Sequence, residues 1–116
     1  MKHILIVEDD TTFAVMLQTW LSKKKFSVAS VSGIAAAKKT LIESSVDLVL
    51  CDLRLPDGDG IDLLEWVSSR NINVPLIVMT SYAAIPSAVQ AMKLGARDYI
   101  SKPVSYTHLR AHETSQ

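Results

Sequence analysis

Acidic, hydroxyl and ammonium side chains follow short apolar runs at four places along the chain. Glu8 and Asp9 come after the first run, Asp52 after the third, Thr80 after the fourth and Lys102 after the fifth. In open α/β sheets, ligands bind outside the carboxyl ends of the strands, so we expect these side chains to converge. Neighbouring carboxylates raise each other's pKa, and such a cluster needs a cation. Oxygen ligands favour Mg²⁺.

The glycines argue against a nucleotide site. The chain has four glycines, and none of them forms part of a GxGxxG or GxxxxGK[ST] pattern. A phosphoryl group at this edge would therefore be held by Mg²⁺, Lys102 and Thr80, and the obvious acceptor is a carboxylate. A carboxylate nucleophile that forms an aspartyl phosphate fits these residues.

Apolar runs alternate with amphipathic stretches along the chain, as expected for βα units around a parallel sheet. Strands are predicted at Ile4–Val7, Phe26–Val31, Leu48–Cys51, Val74–Met79 and Tyr99–Ile100. Because these runs are almost continuously apolar, we expect helices to cover both faces of the sheet. Helices are predicted from about Phe13 to Leu21 and at Gly33–Ser44, Ile61–Arg70 and Ile85–Leu94.

The first helix carries an apolar stripe at helical spacing. Its members are Phe13, Met16, Leu17, Trp20 and Leu21. This spacing predicts that the stripe packs on the sheet, with Met16 and Trp20 in the core. Asp10 is predicted to be the N-cap of this helix.

Composition limits the class of protein. With 116 residues, 48% hydrophobic and 21% charged, the chain is expected to form one globular domain. Twelve basic and twelve acidic residues give no net charge, so we expect no direct nucleic-acid binding. The single cysteine and the lack of a targeting or membrane segment predict a cytoplasmic protein.

Four motifs in order resemble the receiver domain of bacterial two-component response regulators. They are Glu8-Asp9, the stretch from Asp52 to Gly60, Thr80-Ser81, and the stretch from Asp98 to Pro103. The resemblance implies a flavodoxin-like doubly wound three-layer sandwich with five parallel strands in the order 2-1-3-4-5. The segment 105–116 lacks a docking stripe, so the last helix is expected to be missing or replaced.

The resemblance also implies a role for each acidic residue. Asp52 would be the phosphoacceptor, Asp9 a direct Mg²⁺ ligand, and Glu8 a second acid acting largely through water. The backbone carbonyl of Arg54 would complete the protein ligands of the metal.

Three further residues would bind the phosphoryl group or respond to it. Thr80 would hydrogen-bond a phosphoryl oxygen, Lys102 would pair with another, and Tyr99 would be an aromatic rotamer switch. The Lys102–Pro103 peptide bond would be cis. The implied partner is a sensor histidine kinase or a phosphotransfer protein, and a homodimer could form through the fourth helix and the fifth strand.

The expected function is a phosphorylation-dependent switch, not an enzyme, within a longer transcriptional regulator. The receiver domain is expected at 1–104, and 105–116 is expected to be a non-native tail that resembles translated adapter or vector sequence. One alternative is a small phosphatase with an aspartate nucleophile, although Asp52-Leu53-Arg54 lacks its Asp-x-Asp signature. Another is a pseudo-receiver that binds partners without chemistry.

Overall fold

The computed structural model describes residues 2–80 and 85–102 and contains a central five-stranded parallel sheet. Its strands are β1 (His3–Val7), β2 (Ser27–Val31), β3 (Leu48–Asp52), β6 (Leu76–Thr80) and β7 (Asp98–Ser101), and they lie in the order β2-β1-β3-β6-β7. Two short strands, β4 (Arg54–Leu55) and β5 (Gly58–Asp59), form a separate antiparallel hairpin. Counting the strands of the large sheet alone gives the order 2-1-3-4-5, which confirms the expected fold.

Within the described residues, four helices connect the strands. They are α1 (Thr11–Lys23), α2 (Ile34–Glu43), α3 (Gly60–Ser69) and α4 (Ile85–Lys93). The bounds predicted for α2, α3 and α4 agree with these to within one residue. Strand β6 begins two residues later than predicted, at Leu76, because Pro75 has no N–H with which to extend the ladder.

Alternate residues of the central strands feed two separate hydrophobic cores. On β1, Leu5 and Val7 join one core with residues of α2 and α3, whereas Ile4 and Ile6 join a second core with α1. Successive side chains of a strand point to opposite faces of the sheet. One core therefore lies between the sheet and helices α2 and α3, the other lies between the sheet and α1, and the result is a three-layer sandwich. The carboxyl end of β1 is thus packed from both sides.

Helix α1 shows one correct and one wrong prediction. Asp10 is its N-cap, and the Asp10 carboxylate accepts a hydrogen bond from the Phe13 N–H at 3.2 Å. Phe13 and Leu21 are buried, but Met16 is 43% exposed and Trp20 is 56% exposed, so the placement of both in the core was wrong. These two residues lie on one edge of the stripe, outside the arc that faces the sheet.

The edge strands also depart from the expectation that both faces of every strand are covered. All four residues of β7 are exposed, and β2 has no fully buried residue. Strands β1, β3 and β6 have neighbours on both sides, and most of their residues are buried.

Some predictions lie outside the described residues. They are the cis bond at Lys102–Pro103 and the segment 105–116 with its replaced helix. Among the helices that the structure describes, none is long and apolar enough to cross a bilayer.

Candidate functional site

The carboxyl ends of four neighbouring strands bring the predicted residues to one edge of the sheet. Strand β1 leads into Glu8 and Asp9, β3 ends at Asp52, β6 ends at Thr80, and β7 leads into Lys102. The strand register aligns these ends: Val7 pairs with Cys51, Asp52 with Met79, and Thr80 with Ser101. Since all these pairings are parallel, the polar residues lie together at the carboxyl-terminal end of the sheet.

Glu8, Asp9 and Asp52 form an acidic cluster. One carboxylate oxygen from each lies within 4.8 Å of the others. Glu8 and Asp52 are buried, at 2% and 8% exposure, whereas Asp9 is exposed. Burial of like charges at this spacing is unfavourable unless a cation compensates them.

Lys102 supplies one compensating charge. Its Nζ lies 2.6 Å from Glu8 Oε1 and 3.1 Å from Asp52 Oδ2, and it also lies 4.9 Å from the centre of the Phe13 ring. The backbone N–H of Lys102 donates to the Thr80 carbonyl at 2.8 Å, which connects the residue after β7 to the end of β6. The ammonium group therefore bridges β1 and β3 from the edge strand.

Burial and pairing shift the proton equilibria of this cluster. Burial, reinforced by the nearby Asp52, raises the pKa of Glu8 to about 7, although the close contact with the Lys102 ammonium group opposes the shift. Burial disfavours the charged form of Lys102, but its close contact with Glu8 and the charges of Asp52 and Glu8 outweigh this cost, so the Lys102 pKa is raised. Glu8, expected to act largely through water, is in direct contact with Lys102.

The loop that follows Asp52 is folded back as the β4–β5 hairpin. The Leu53 N–H donates to the Met79 carbonyl at 3.2 Å, and the Gly60 N–H donates to the Leu53 carbonyl at 2.9 Å. The Arg54 N–H lies 3.5 Å from Asp52 Oδ1, at the long limit of a hydrogen bond. The backbone of Arg54 is thus adjacent to the Asp52 carboxylate, while its side chain is exposed.

Thr80 and Tyr99 lie in different environments. Thr80 is fully buried at the end of β6, whereas Tyr99 is 37% exposed in β7, where it pairs with Val78. The Tyr99 N–H donates to its neighbour Asp98 at 2.8 Å. Tyr99 is thus on the exposed edge of the sheet, two strands away from Asp52.

Sequence reasoning gave no separate role to Asp57, which contacts a distant element. Its two carboxylate oxygens accept hydrogen bonds from the Ile34 and Ala35 N–H groups at the start of α2. The signal that could have pointed to it is Gly33, because a helix whose N-cap is glycine has no side-chain cap of its own. Nothing in the local sequence identifies the residue that supplies one.

The donor set fits a hard divalent cation. It consists of three carboxylates, two of which pair with the Lys102 ammonium group, and oxygen is the ligand that Mg²⁺ prefers. Glu8 Oε1 is buried and, despite its close approach to Lys102, accepts no well-aligned hydrogen bond within the described part of the chain. The cluster could hold a metal ion, and its excess negative charge favours one.

Comparisons with known proteins agree with this geometry. The family model of the response regulator receiver domain matches residues 4–113. The chain is 36% identical over 109 residues to the response regulator protein PilR of Pseudomonas aeruginosa, and 37% identical over 108 residues to the transcriptional regulatory protein ZraR of Escherichia coli. These alignments cover 94% and 93% of this chain but 24% of each relative, so the chain spans about a quarter of their length.

A solved structure shows the same fold. The full-length FixJ structure from B. japonicum matches with a TM-score of 0.84 and 33% identity, over 96% of this chain and 55% of that one. The strand order, the acidic edge and the sequence match therefore lead to one conclusion. The chain belongs to the response regulator receiver domain family.

Proposed function

We propose that this domain is a phosphorylation-dependent switch that accepts a phosphoryl group on Asp52 from a phosphohistidine. The donor would be a sensor histidine kinase or a phosphotransfer protein. One observation carries the proposal: the Asp52 carboxylate lies within an acidic cluster at the end of a central strand, with the Lys102 ammonium group 3.1 Å from its Oδ2. A nucleophile, a cation and a set of metal ligands thus share one edge of the sheet.

The transfer forms one bond and breaks another. An Asp52 oxygen would attack the phosphorus atom in line with the P–N bond of the phosphohistidine, and the imidazole would leave with the bonding electron pair. Negative charge spreads over the three equatorial oxygens in the transition state. Lys102 is already held beside Asp52 by its contact with Glu8, so its charge can stabilise these oxygens with little reorganisation.

The residues that would hold Mg²⁺ are Asp9, Asp52 and the backbone carbonyl of Arg54, with Glu8 as a second acid. When bound, the ion would neutralise charge on the transferring phosphoryl group. Glu8 would keep Lys102 at the site, since its Oε1 lies 2.6 Å from the Lys102 Nζ.

The switch would need several contacts. Moving a conformational equilibrium from 1:99 to 99:1 takes about 5.5 kcal/mol of differential affinity. One hydrogen bond to a charged group contributes about 1.5 to 3 kcal/mol, so Thr80 alone is insufficient. We propose that Thr80 and Lys102 respond together to the phosphoryl group and that Tyr99 changes its rotamer in consequence.

The output surface would be the face formed by α4 and β7. Val89, Met92 and Tyr99 expose apolar area on these two elements, which supports a homodimer contact through this face. We further propose that the domain belongs to a longer transcriptional regulator in the cytoplasm. The chain spans about a quarter of the length of its curated relatives, which supports a longer regulator. Cys51 is buried and forms no disulfide bond, which supports a reducing compartment such as the cytoplasm.

Incubation with acetyl phosphate and Mg²⁺ tests the proposal against its alternatives. We expect stoichiometric labelling of the wild type and none in Asp52→Ala. Continuous turnover of acetyl phosphate would indicate a phosphatase with an aspartate nucleophile instead. Absence of any reaction in a folded wild-type chain would indicate a pseudo-receiver that only binds partners.

A further inference from the structure

Asp57 caps a helix to which it does not belong. Its Oδ1 accepts a hydrogen bond from the Ile34 N–H at 2.8 Å, and its Oδ2 accepts one from the Ala35 N–H at 3.0 Å. The N-cap residue of α2 is Gly33, which forms no side-chain cap. The first amide groups of a helix otherwise lack partners. Asp57, from a distant part of the same chain, therefore supplies the side-chain cap that Gly33 lacks.

The Asp57 carboxylate lies so close to Gly33 that it restricts which residue can occupy position 33. A Cβ atom added at Gly33 would lie 2.8 Å from Asp57 Oδ1, a distance that requires something to move. The hydrogen bonds from Ile34 and Ala35, with the charge of Lys38, lower the pKa of Asp57 despite an opposing effect of burial. The carboxylate is therefore ionised when it meets the positive end of the α2 dipole.

The same residue lies at the tip of the hairpin that follows Asp52. Strands β4 and β5 pair Arg54 with Asp59 and Leu55 with Gly58, which leaves Asp57 in the connecting turn. At the base of the hairpin, the Gly60 N–H donates to the Leu53 carbonyl, and the Leu53 N–H donates to the Met79 carbonyl of β6, which fixes the base to the sheet. Asp57 joins the opposite end of the hairpin to α2, so the hairpin is held at both ends.

We propose that Asp57 is a positioning residue for phosphoryl transfer at Asp52, acting by tying the β4–β5 hairpin to the start of α2. This inference rests on the proposed function of Asp52. The hairpin carries Arg54, whose N–H lies 3.5 Å from Asp52 Oδ1 and whose carbonyl is a proposed metal ligand. Release of the hairpin tip would let the Arg54 backbone move relative to the Asp52 carboxylate, and the metal and the phosphoryl group would then be held less well.

The first test measures the tie in the protein without ligand. In Asp57→Ala, we expect faster amide hydrogen exchange at Ile34 and Ala35 and also at Leu53 and Gly60. Faster exchange at Ile34 and Ala35 alone would overturn the proposal, because the cap would then act on α2 without restraining the hairpin.

The second test measures the site, with Mg²⁺ alone and then with acetyl phosphate. Removing a group that orients metal ligands commonly weakens metal affinity by about 10- to 100-fold, and we expect the lower end, about tenfold, for Asp57→Ala. The labelling rate should fall by a similar factor. Asp57→Asn should give a smaller loss of both, since an Asn side chain keeps an acceptor oxygen and is a good cap.

Asp47→Ala is the matched control. The Asp47 carboxylate also accepts a hydrogen bond from a distant backbone amide, the His3 N–H at 2.8 Å, but at the opposite end of β1. This variant should leave Mg²⁺ affinity and labelling rate unchanged. If Asp57→Ala also leaves them unchanged, or if Asp47→Ala lowers them equally, Asp57 does not position the site.

A double-mutant cycle provides an independent measurement. Gly33→Ala should weaken Mg²⁺ binding in the wild type by displacing the Asp57 carboxylate, but should have much less effect in the Asp57→Ala background. Additive effects would contradict the proposed tie. A wild-type chain that binds Mg²⁺ but is not labelled would refute the proposed function, whereas the Mg²⁺ affinities of these variants would still decide the role of Asp57.

Discussion

The central strands and the edge strand β7 contribute to the same site but differ in burial. On β1, the residues from Ile4 to Val7 are all buried, whereas every residue of β7 is exposed. The central strands present Asp52, the proposed acceptor, and its acidic neighbours on a tightly packed base. The edge strand delivers Lys102, which is held at the site by its ion pairs with Glu8 and Asp52. A change of charge at Asp52 therefore acts directly on the least buried strand of the sheet.

The largest contrast should be in stability. Ile6→Ala removes a fully buried side chain of β1 and should lower the free energy of unfolding by about 2 to 5 kcal/mol. The matched substitution on β7, Ile100→Ala, removes a side chain that is 44% exposed and should cost less than about 1 kcal/mol. Urea denaturation of both variants measures the difference. Equal losses would show that β7 is packed as tightly as β1.

The next contrast concerns the charge that β7 delivers. Lys102→Ala should slow labelling by acetyl phosphate by about 100-fold, because a preorganised donor to the developing charge is lost. Lys93→Ala, at the exposed end of α4, removes the same charge away from the site and should leave the rate unchanged. A Lys102→Ala variant labelled at the wild-type rate would remove Lys102 from the mechanism.

Substitution of Thr80 tests whether the buried end of β6 is conformationally coupled to the edge strand β7. Thr80→Ala should reduce the ratio of active to inactive conformers in the beryllofluoride complex by at least about tenfold, which is the value of one hydrogen bond to a charged group. Thr40→Ala removes a hydroxyl group that bonds the Ala36 carbonyl within α2 and should leave this ratio unchanged. NMR spectra of the two complexes report the populations, and an unaltered ratio in Thr80→Ala would contradict the coupling.

The smallest expected effect is a pH dependence that arises at Glu8. Its pKa is raised from 4.5 to about 7 in the folded chain, so the folded state binds a proton that the unfolded state has released between these values. The resulting stability is complete below pH 4.5 and is lost as the pH rises through about 7. Without Mg²⁺, we expect the wild type to lose about 1 to 2 kcal/mol more than Glu8→Gln between about pH 6 and about pH 8. Parallel pH profiles of the two proteins would show that Glu8 titrates normally.

Local sequence patterns predicted the features that depend on neighbouring residues in the chain, such as strand ends and helix caps. An apolar run followed by a polar residue locates the strand ends, and Asp10 before the first helical turn locates an N-cap. The burial of Met16 and Trp20 was wrong because helical spacing identifies a stripe but not the arc of that stripe that the sheet covers. Edge exposure at β7 likewise depends on neighbours that a single strand cannot specify.

The contacts within the site depend on residues far apart in the chain. The motifs indicated that Glu8, Asp52 and Lys102 belong together, but the direct pairing of Lys102 with Glu8 emerges only from the register of β1, β3, β6 and β7. Asp57 and α2 are joined across 22 and 23 sequence positions, and no periodicity connects them. Such pairings follow from tertiary packing, which propensity and spacing do not encode.

Chemical trapping of the acyl phosphate tests the central claim most directly. The wild-type chain would be incubated with acetyl phosphate and Mg²⁺, reduced with borohydride, digested and sequenced by mass spectrometry. Attack by the Asp52 carboxylate predicts homoserine at position 52, with none formed when Mg²⁺ is removed by a chelator. Homoserine in place of Asp9, or no reduced residue in a chain that has taken up phosphate, would contradict the assignment of Asp52 as the acceptor.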